Sequence, residues 1–394
     1  MRRTYKFRAY PTGPQEVRAV RLLRDHCDLY NAALQERRDA WRHVSKTTVR
    51  YGDQSAQLKE IRRVDPTGQG RHSFTAQQQT LRRVDTVMGS FFARVKTGKA
   101  GYPRFKPHNR FDQVVFVDRD GAKWSPAEPG ARWAFARFQA VGTVKVRQHR
   151  PVRGTVKTLQ LKREHRRWYV IVVVDVEPEP LPAAGHTVGV DVGVARFLTT
   201  SDGQVVDNPR FLAAAAGDIA ELQRRKARSR RGSGNTRRLR QALAKRWRKV
   251  RHQRHDFHHK TARALVDAYD VLAVETLNVA GMTRAPQPRP DGTGGYLPNG
   301  AAAKAGLNKS ILDAGWTRFA NTLVAKAEEA GRRVVFVNPA YTSIDCHRCG
   351  TRCTRPRQDT VICPRCGPID ADLNGAHNVH TRAGLGSGHT APAA

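Results

Sequence analysis

The sequence predicts a multidomain protein in which a β-barrel carrying a helical insert precedes an α/β domain with an inserted zinc ribbon. Short β segments separated by glycine and proline run from Phe111 to Val176, which is typical of a small barrel. Farther along, strands alternate with helices, which favours an α/β sheet with some parallel pairing. Two C-x-x-C pairs interrupt that second half and indicate metal.

The composition predicts a polyanionic partner. The 394 residues leave room for two or more domains. Lysine and arginine total 70 against 34 acidic residues, a net charge of +36, which exceeds what solubility requires. No apolar run approaches the roughly 18 residues of a spanning helix, and the start MRRTYKFRAYP lacks an apolar signal core. We expect a cytoplasmic protein, nucleoid-associated when bound to DNA. Charge alone equally fits a ribosomal or chromatin-like binder.

In the first half, residues 1–10 alternate as a strand does. A helix follows, with an apolar stripe formed by Val17, Val20, Leu23, Cys27, Tyr30 and Leu34. Cys27 is interpreted as a packed core residue. The segment TAQQQTLRRVDTVMGSFFARVKTG predicts a second helix, and the stretch between the two helices is polar and weakly patterned. Five β segments follow: DQVVFVD, ARWAFARF, GTVKVR, VKTLQLKRE and RWYVIVVVDVE.

A proline-rich stretch then predicts a domain boundary. Pro178, Pro180 and Pro182 form a stiff linker, because proline fixes its own φ and withholds a backbone donor. After it, HTVGVDVGVARFLTTSDGQVVDN predicts a hairpin with Asp202-Gly203 at its turn. DVLAVETL and RRVVFVN predict buried strands, with a helix near 310–330 between them. Residues 283–300 are rich in Pro and Gly and predict a mobile loop.

Acidic residues stand at strand ends of the predicted α/β domain. In GVDVGV, Asp191 lies between two glycines on one strand face, and glycine inside a strand marks close approach of another group to the backbone, so Asp191 is interpreted as facing a ligand or metal. Glu275 closes a strand at its carboxyl end, where α/β sheets place ligand sites. In DADLNGAHNV, Asp370 and Asp372 compete for a third position, as helix cap or metal ligand. Oxygen ligands suit Mg²⁺ or Mn²⁺, and two such ions would imply phosphodiester hydrolysis.

The cysteines predict a structural zinc site. Cys346 with Cys349 and Cys363 with Cys366 form two C-x-x-C knuckles, each followed by glycine. Four thiolates complete a tetrahedral Zn²⁺. Two further residues leave alternatives open: Cys353 could replace one of the four or be a free thiol, and His347 is another candidate ligand.

A long basic segment predicts a helix pair that lies along a nucleic-acid backbone. It contains almost no acidic residue, so its repulsion must be relieved by a partner, and Leu239, Leu243, Trp247 and Val250 keep helical spacing. The predicted nucleic-acid contacts are Arg224, Arg225, Lys226, Arg228, Arg230, Arg231, Arg237, Arg238, Arg240, Arg248, Lys249 and Arg251. The alternative is an unstructured basic tail. His252, His255 and His259 share one helical face, where a metal site is a minor alternative to phosphate contact.

Several motifs together resemble the TnpB family, whose members are encoded by insertion sequences and are related to type V CRISPR effectors. The motifs in the second half are GVDVGVARFLT, VETLNVAGM, YTSIDCHRCG, CPRCG and DADLNGAHNV, and those in the first half are YKFRAYPT, CDLYNAALQERR and GYPRFKPHNRF. The resemblance covers nearly the whole chain in the same order. One departure is visible: the family's usual Ala-Ala after the last motif's first asparagine is Gly375-Ala376 here.

The resemblance implies an RNA-guided DNA endonuclease with a RuvC-like RNase H fold. It implies Asp191, Glu275 and Asp372 as catalytic, magnesium-binding carboxylates, with Asp372 preferred because it stands two residues before Asn374, and it implies the four knuckle cysteines as zinc ligands. Its partners would be a guide RNA from the transposon end and double-stranded target DNA. The expected domains are a wedge-like β-barrel (1–12 and 100–180), a helical recognition insert (13–99), the nuclease domain (181–340 and 368–384), the zinc ribbon (341–367) and a disordered tail (385–394).

Three other functions remain alternatives. A nuclease-silent protein would use guide RNA only to occupy DNA, a transposase would join strands itself, and a CRISPR-associated effector would differ in its guide and genomic neighbours. The acidic residues favour hydrolysis over mere binding.

Overall fold

The structure is a computed structural model that describes residues 1–98 and 101–385. Two compact units make up the chain, Met1–Glu177 and Pro178–Ala394. The predicted tail, 385–394, lies outside the described residues apart from Leu385. None of the helices described combines the length and the apolar character needed to cross a membrane.

Seven strands of the first unit close into a barrel in the order β1-β5-β4-β3-β2-β6-β7, which confirms the barrel. They are β1 (Arg2–Tyr10), β2 (Gln113–Asp118), β3 (Gly121–Ser125), β4 (Trp133–Phe138), β5 (Gly142–Arg147), β6 (Thr155–Glu164) and β7 (Arg167–Asp175). β2 and β3 pair in parallel and every other neighbouring pair is antiparallel. β3 was not predicted, because in its five residues only Ala122 and Trp124 point into the core.

Three helices are inserted between β1 and β2: α1 (Gly13–Arg42), α2 (Tyr51–Val64) and α3 (Phe74–Val95). α1 begins with a capping box between Thr12 and Gln15. The predicted apolar stripe is wrong at Val17, which is 70% exposed, because Val17 lies on the face of α1 opposite to the buried Ala19, Leu22 and Leu23.

α2 was not predicted, since it buries only Gln54 and Leu58 and therefore has no apolar stripe. The buried Gln54 amide is instead satisfied by polar partners. It donates to the Ala33 carbonyl at 2.8 Å and to Glu36 at 2.7 Å, and it accepts from Arg37 at 2.9 Å. A helix held by such hydrogen bonds leaves no periodicity in the sequence.

The second unit contains a five-stranded sheet ordered β10-β9-β8-β11-β12. Its strands are β8 (Thr187–Val192), β9 (Arg196–Thr200), β10 (Val205–Asp207), β11 (Val271–Glu275) and β12 (Arg333–Val337). β11 lies parallel to both β8 and β12, whereas β8, β9 and β10 pair antiparallel. In chain order this is 3-2-1-4-5, the arrangement of the RNase H fold that the resemblance implied. The predicted hairpin at Asp202-Gly203 is confirmed.

The helices of this unit are α4 (Phe211–Ala214), α5 (Ala216–Arg228), α6 (Gly234–Ala268), α7 (Val279–Met282), α8 (Ala301–Ala314), α9 (Trp316–Glu329) and α10 (Ala371–Arg382). Of these, α6, α8 and α9 form a core with Val188, Phe197 and Leu272 of the sheet. Val379 of α10 packs in a second core with Ala273 and Val337. The single helix predicted near 310–330 is two helices, because Gly315 adopts φ +70° and ends α8.

The proline linker is held against the second unit and is not a free spacer. The Glu179 and Leu181 backbone N–H groups donate to the Glu329 and Ala330 carbonyls at 3.1 and 3.0 Å. Leu181 also packs on the core of that unit.

The ribbon lies between β12 and α10. Its hairpin consists of β13 (Thr360–Cys363) and β14 (Gly367–Asp370), which pair antiparallel. Residues 283–300 hold no helix, and their one strand-like pairing among the described residues is a bridge between Pro290 and Tyr296.

Candidate active site and cysteine cluster

Asp191 lies near the end of β8, at the point where α10 crosses the sheet. A Cβ added at Gly189 would lie 2.1 Å from the Ala376 carbonyl oxygen and 2.5 Å from the His380 nitrogen. The close approach predicted from the glycines is therefore that of α10 and not of a ligand. A Cβ added at Gly193 would lie 2.9 Å from the carbonyl oxygen of Arg196, across the turn into β9. Gly189 allows α10 to pack closely on β8, next to Asp191.

The structure brings Asp191, Glu275 and Asp372 to the wall of one cavity of about 770 Å³. Val190 and Val274 are register partners on the parallel strands β8 and β11, so the next residue of each strand, Asp191 and Glu275, meets the other at the carboxyl edge of the sheet. Asp372 comes from the first turn of α10. Three separate elements thus deliver one carboxylate each.

Burial raises the pKa values of all three carboxyl groups. Burial, followed by the charges of Glu275 and Asp372, raises the pKa of Asp191 to about 8. Burial also raises the pKa of Glu275, although a hydrogen bond from Thr342 opposes this, and burial with the charge of Asp370 raises the pKa of Asp372. Buried carboxyl groups with raised pKa values in a shared cavity mark a candidate functional site.

Asp370 acts as the helix cap. Its Oδ1 accepts the Asp372 and Leu373 backbone N–H groups, both at 3.0 Å, and its Oδ2 accepts from Arg196 at 2.9 Å. Burial alone would raise the pKa of Asp370, but these hydrogen bonds outweigh it and lower that pKa. Asp370 does not line the cavity, whereas Asp372 does.

Sequence reasoning missed three residues that serve this cavity. Thr342 donates its hydroxyl to Glu275 Oε1 at 2.5 Å, which orients that carboxylate. Arg196 and Arg355 line the cavity, and the charge of Arg355 lowers the pKa values of Asp191 and Asp372 against the dominant effect of burial. Thr342 stands in the quoted motif YTSIDCHRCG, but a single threonine or arginine among 70 basic residues carries no signal of its own.

The departure at Gly375 bears on Asp191 directly. A Cβ at this position would lie 3.1 Å from Asp191 Cγ and 3.2 Å from its Oδ2. Glycine therefore leaves space beside the carboxylate, in addition to its effect on helix propensity.

The cysteine cluster forms as predicted for a Cys₄ site. The Sγ atoms of Cys346, Cys349, Cys363 and Cys366 all lie within 4.8 Å of one another, which fits the roughly 3.8 Å between thiolates around a tetrahedral Zn²⁺ with Zn–S bonds of about 2.3 Å. Within residues 1–98 and 101–385, no other set of three or more His, Cys, Asp or Glu side chains gathers its ligand atoms this closely.

The two further candidate ligands lie outside the four-thiol set. The His347 Nδ1–H group donates to Asn374 Oδ1 at 2.9 Å, and the His347 backbone N–H donates to the same oxygen. The His347 ring also stacks on His377, with the ring centroids 4.5 Å apart. Cys353 is buried in the same apolar cluster as the knuckles but is not one of the four.

The predicted basic segment is a pair of helices, α5 and α6, and not an unstructured tail. Leu239 and Val250 are buried, but Trp247 is 42% exposed. Ion pairs are more frequent than expected: Arg224 pairs with Glu221 at 2.8 Å, Arg246 with Asp218 at 2.6 Å, and Arg254 with the buried Asp313. Arg237, Arg238 and Arg240 are exposed and have no carboxylate partner in the described part of the chain.

The histidines of α6 divide into two groups. His255 and His259 approach to 3.1 Å between their Nε2 atoms, and His252 is exposed on the same helix. His258, which was not singled out, is buried. Its Nε2 lies 2.9 Å from the Ala314 carbonyl, and burial is the main cause that lowers its pKa to about 4.

Two family models match this chain. A model described as "Probable transposase" matches residues 171–285, and one described as "Cas12f1-like, TNB domain" matches residues 316–379. The first range contains Asp191 and Glu275 and the second contains the cysteine cluster and Asp372.

Two curated relatives match over nearly their whole length. "Putative RNA-guided DNA endonuclease InsQ" of Escherichia coli (strain K12) is 27% identical, over 98% of this chain and 92% of the relative. "Putative RNA-guided DNA endonuclease" of Streptomyces pristinaespiralis is 27% identical, over 96% of this chain and 89% of the relative.

Solved structures share the fold. The chain resembles the protein in a Cas12f1–sgRNA–target DNA complex with a TM-score of 0.60 and 13% identity, covering 96% of this chain and 98% of that one. It resembles the mini-RNA-guided endonuclease CRISPR-Cas phi3 with a TM-score of 0.53 and 9% identity, over 100% and 94% of the two chains.

Proposed function

We propose that this chain, which is similar to two curated proteins named as RNA-guided DNA endonucleases, is a TnpB-like RNA-guided DNA endonuclease of a transposable element. The observation that carries the proposal is the meeting of Asp191, Glu275 and Asp372 in one cavity. The relatives' names supply the guide RNA and the DNA substrate. Its partners are then a guide RNA from the transposon end and double-stranded DNA, in the bacterial cytoplasm.

We propose that the three carboxylates hold two Mg²⁺ or Mn²⁺ ions. Burial, together with the charges of Glu275 and Asp372, raises the pKa of Asp191 to about 8. This supports cation binding, because a divalent ion would stabilise the charged forms of all three carboxyl groups. Such ions, when bound, supply an activated water and stabilise the leaving oxygen of a phosphodiester.

The chain's own residues would bind and orient the DNA strand. Thr342 keeps Glu275 in one rotamer through its hydrogen bond. Arg196 and Arg355 present guanidinium groups at the cavity wall, where they would bind phosphate oxygens beside the carboxylates. The four knuckle cysteines would bind one structural Zn²⁺, which keeps the ribbon that carries Arg355 folded.

The test begins with protein copurified with its native RNA from a host that carries the whole element. After the RNA is sequenced, a matching plasmid is incubated with the complex and Mg²⁺. We expect guide-matched cutting that disappears in Asp191→Ala and persists in Asp267→Ala, since Asp267 is an exposed acid on α6 paired with Arg263. Equal cutting by Asp191→Ala and the parent would refute the proposal. DNA that is bound and never cut across varied flanking sequences would establish a nuclease-silent binder instead.

Strand transfer is the second candidate, because one matching family is described as a probable transposase. The products distinguish the two reactions. Hydrolysis leaves simple breaks with free 3′-hydroxyl ends, whereas a transposase leaves ends joined to new DNA. We expect simple breaks.

A further inference from the structure

Two histidines in the C-terminal half of α6 bring their ring nitrogens together at the surface. The Nε2 atoms of His255 and His259 lie 3.1 Å apart, and the ring centroids lie 4.2 Å apart with the ring planes tilted by 45°. A spacing of four residues places both rings on one face of the helix. Neither histidine lines the carboxylate cavity or belongs to the four-thiol set. The pair is therefore separate from both sites described above.

The distance between the two nitrogens fits a shared metal ion. Metal–imidazole bonds are about 2.0–2.1 Å long, so two nitrogens 3.1 Å apart subtend an angle of about 100° at an ion bonded to both. That angle lies between the roughly 90° of octahedral or square-planar coordination and the roughly 109° of tetrahedral coordination. Two histidines with this spacing on a helix are also the arrangement that holds zinc in other metal-binding helices. The pair needs no change of backbone to chelate an ion.

The charges near the pair are compensated, although α6 as a whole is basic. Three basic side chains within two turns of the pair each have a carboxylate partner: Arg254 with Asp313, Lys260 with Asp256, and Arg263 with Asp267. A cation at the histidines therefore meets less repulsion than it would near the exposed arginines at the start of α6. Asp256 follows His255 directly but is held by Lys260 at 2.8 Å, so we do not count it as a ligand.

We propose that His255 and His259 chelate one divalent transition-metal ion of the kind that prefers imidazole, namely Zn²⁺, Ni²⁺ or Cu²⁺. Both rings then carry their proton on Nδ1, so that both Nε2 lone pairs face the ion. Mg²⁺ and Mn²⁺ prefer carboxylate oxygen and would not occupy this site. Two protein ligands leave coordination positions open for water or for a phosphate oxygen. The site does not depend on the proposed function, because it uses none of the residues of the carboxylate cavity.

The first test is calorimetric titration of the zinc-loaded full chain with Ni²⁺ at about pH 7.5, where free histidine is neutral. Millimolar Mg²⁺ is present to occupy the carboxylate cavity. His255→Gln/His259→Gln should weaken the binding of one Ni²⁺ by about tenfold or more, because a chelate needs both rings. The matched control is His252→Gln, at an exposed histidine one turn earlier on the same face of α6. It should bind Ni²⁺ within about threefold of the parent, because His252 is not one of the two ligands.

A second measurement counts the imidazoles on the ion. Pulsed electron paramagnetic resonance of the chain with one equivalent of Cu²⁺ detects the Nδ1 atom of each imidazole that is bound through Nε2. We expect two such nitrogens in the parent and fewer in His259→Gln.

Three results would overturn the proposal. The double variant, with the melting temperature of the parent, could bind Ni²⁺ as tightly as the parent does. His259→Gln could give the Cu²⁺ spectrum of the parent, or His252→Gln could lose as much Ni²⁺ affinity as the double variant. After either of the first two results, the contact between His255 and His259 would be a hydrogen bond between neutral rings only. After the third, two imidazoles would not be the ligand set.

Discussion

Asp370 and Asp372 are two positions apart in the sequence, but their carboxylates have different surroundings. Asp370 accepts two backbone N–H groups and Arg196, so its carboxylate is already satisfied. Asp372 faces the cavity with Asp191 and Glu275, and its pKa is raised by burial and by Asp370. One position stabilises α10 and the other is available for a ligand.

Substitutions at these two positions should therefore separate stability from catalysis. Asp372→Asn should reduce cleavage by about 100-fold or more with little loss of thermal stability. Asp370→Ala should cost about 1 kcal/mol of stability through the lost cap and retain most cleavage. Calorimetry and plasmid cleavage measure the two effects, and the reverse pattern would make Asp370 the third ligand.

The burial of His26 predicts that the helical insert (13–99) loses stability at acidic pH. Its side chain is fully buried, its Nδ1 lies 2.7 Å from Thr80 Oγ1, and burial together with His72 lowers its pKa to about 3. The unfolded chain therefore protonates His26 at a higher pH than the folded chain does. The stability that neutral His26 contributes is fully present above about pH 6.5 and is lost as the pH falls toward 3.

Unfolding by urea at pH 7 and pH 4.5 measures this effect. His26→Gln keeps a hydrogen-bonding group but removes the ionisation, so its stability should fall less than that of the parent between the two pH values. His108→Gln, at an exposed histidine paired with Asp28, is the control and should follow the parent. An unchanged pH dependence in His26→Gln would assign the acid sensitivity to other groups.

At the scale of elements, α10 can pack closely on β8 only because residue 189 is a glycine. Gly189→Ala would place a Cβ 2.1 Å from a backbone oxygen of α10, so the helix must move. We expect a loss of thermal stability of several degrees and reduced cleavage, because Asp372 moves with the helix. Gly217→Ala on α5 has no neighbour within 4 Å of its new Cβ and should be neutral or stabilising. Equal melting temperatures would contradict the close contact.

The ribbon should bind one zinc ion through four of its five cysteines. Cys346→Ser should lose the zinc and the fold of the ribbon, whereas Cys353→Ser should keep one zinc per chain, because Cys353 lies outside the four-thiol set. Zinc content after exhaustive dialysis, measured by mass spectrometry, distinguishes them. Loss of zinc in Cys353→Ser would make Cys353 a ligand in place of one of the four.

At the scale of the whole molecule, the 34 acidic residues cannot balance the 70 basic ones, and a net charge of +36 remains. Arg237, Arg238 and Arg240 are exposed and have no ion pair in the described residues, whereas Arg224 pairs with Glu221. If Arg237, Arg238 and Arg240 bind phosphates, nucleic-acid binding should depend on salt concentration through them, because each phosphate neutralised releases counterions.

Replacing Arg237, Arg238 and Arg240 by Gln should reduce the slope of log K against log salt by about 2 to 3 for duplex DNA. Arg224→Gln should change it by less than about 1, because that guanidinium already has a partner. Filter binding over a range of salt concentrations gives the slopes. An unchanged slope in the triple variant would show that this helix pair does not contact phosphates.

Periodicity determined most elements in advance, since strands and helices with one buried face repeat their apolar residues at fixed intervals. Periodicity did not predict α2, which buries only Gln54 and Leu58 and so has no apolar stripe. It did not predict β3 either, because that strand has only two buried residues. It also merged α8 with α9, because one glycine with positive φ does not interrupt an apolar pattern.

By itself, the sequence determined the barrel, the α/β sheet, the four-cysteine spacing and the surplus of positive charge, because each follows from residue type at short and regular intervals. Only the tertiary structure decided which aspartate faces the cavity, that α10 and not a ligand occupies the space at Gly189, and that Arg355 of the ribbon lies near Asp191. Those facts join residues more than 150 positions apart, and such contacts depend on how whole elements pack, which local patterns do not encode.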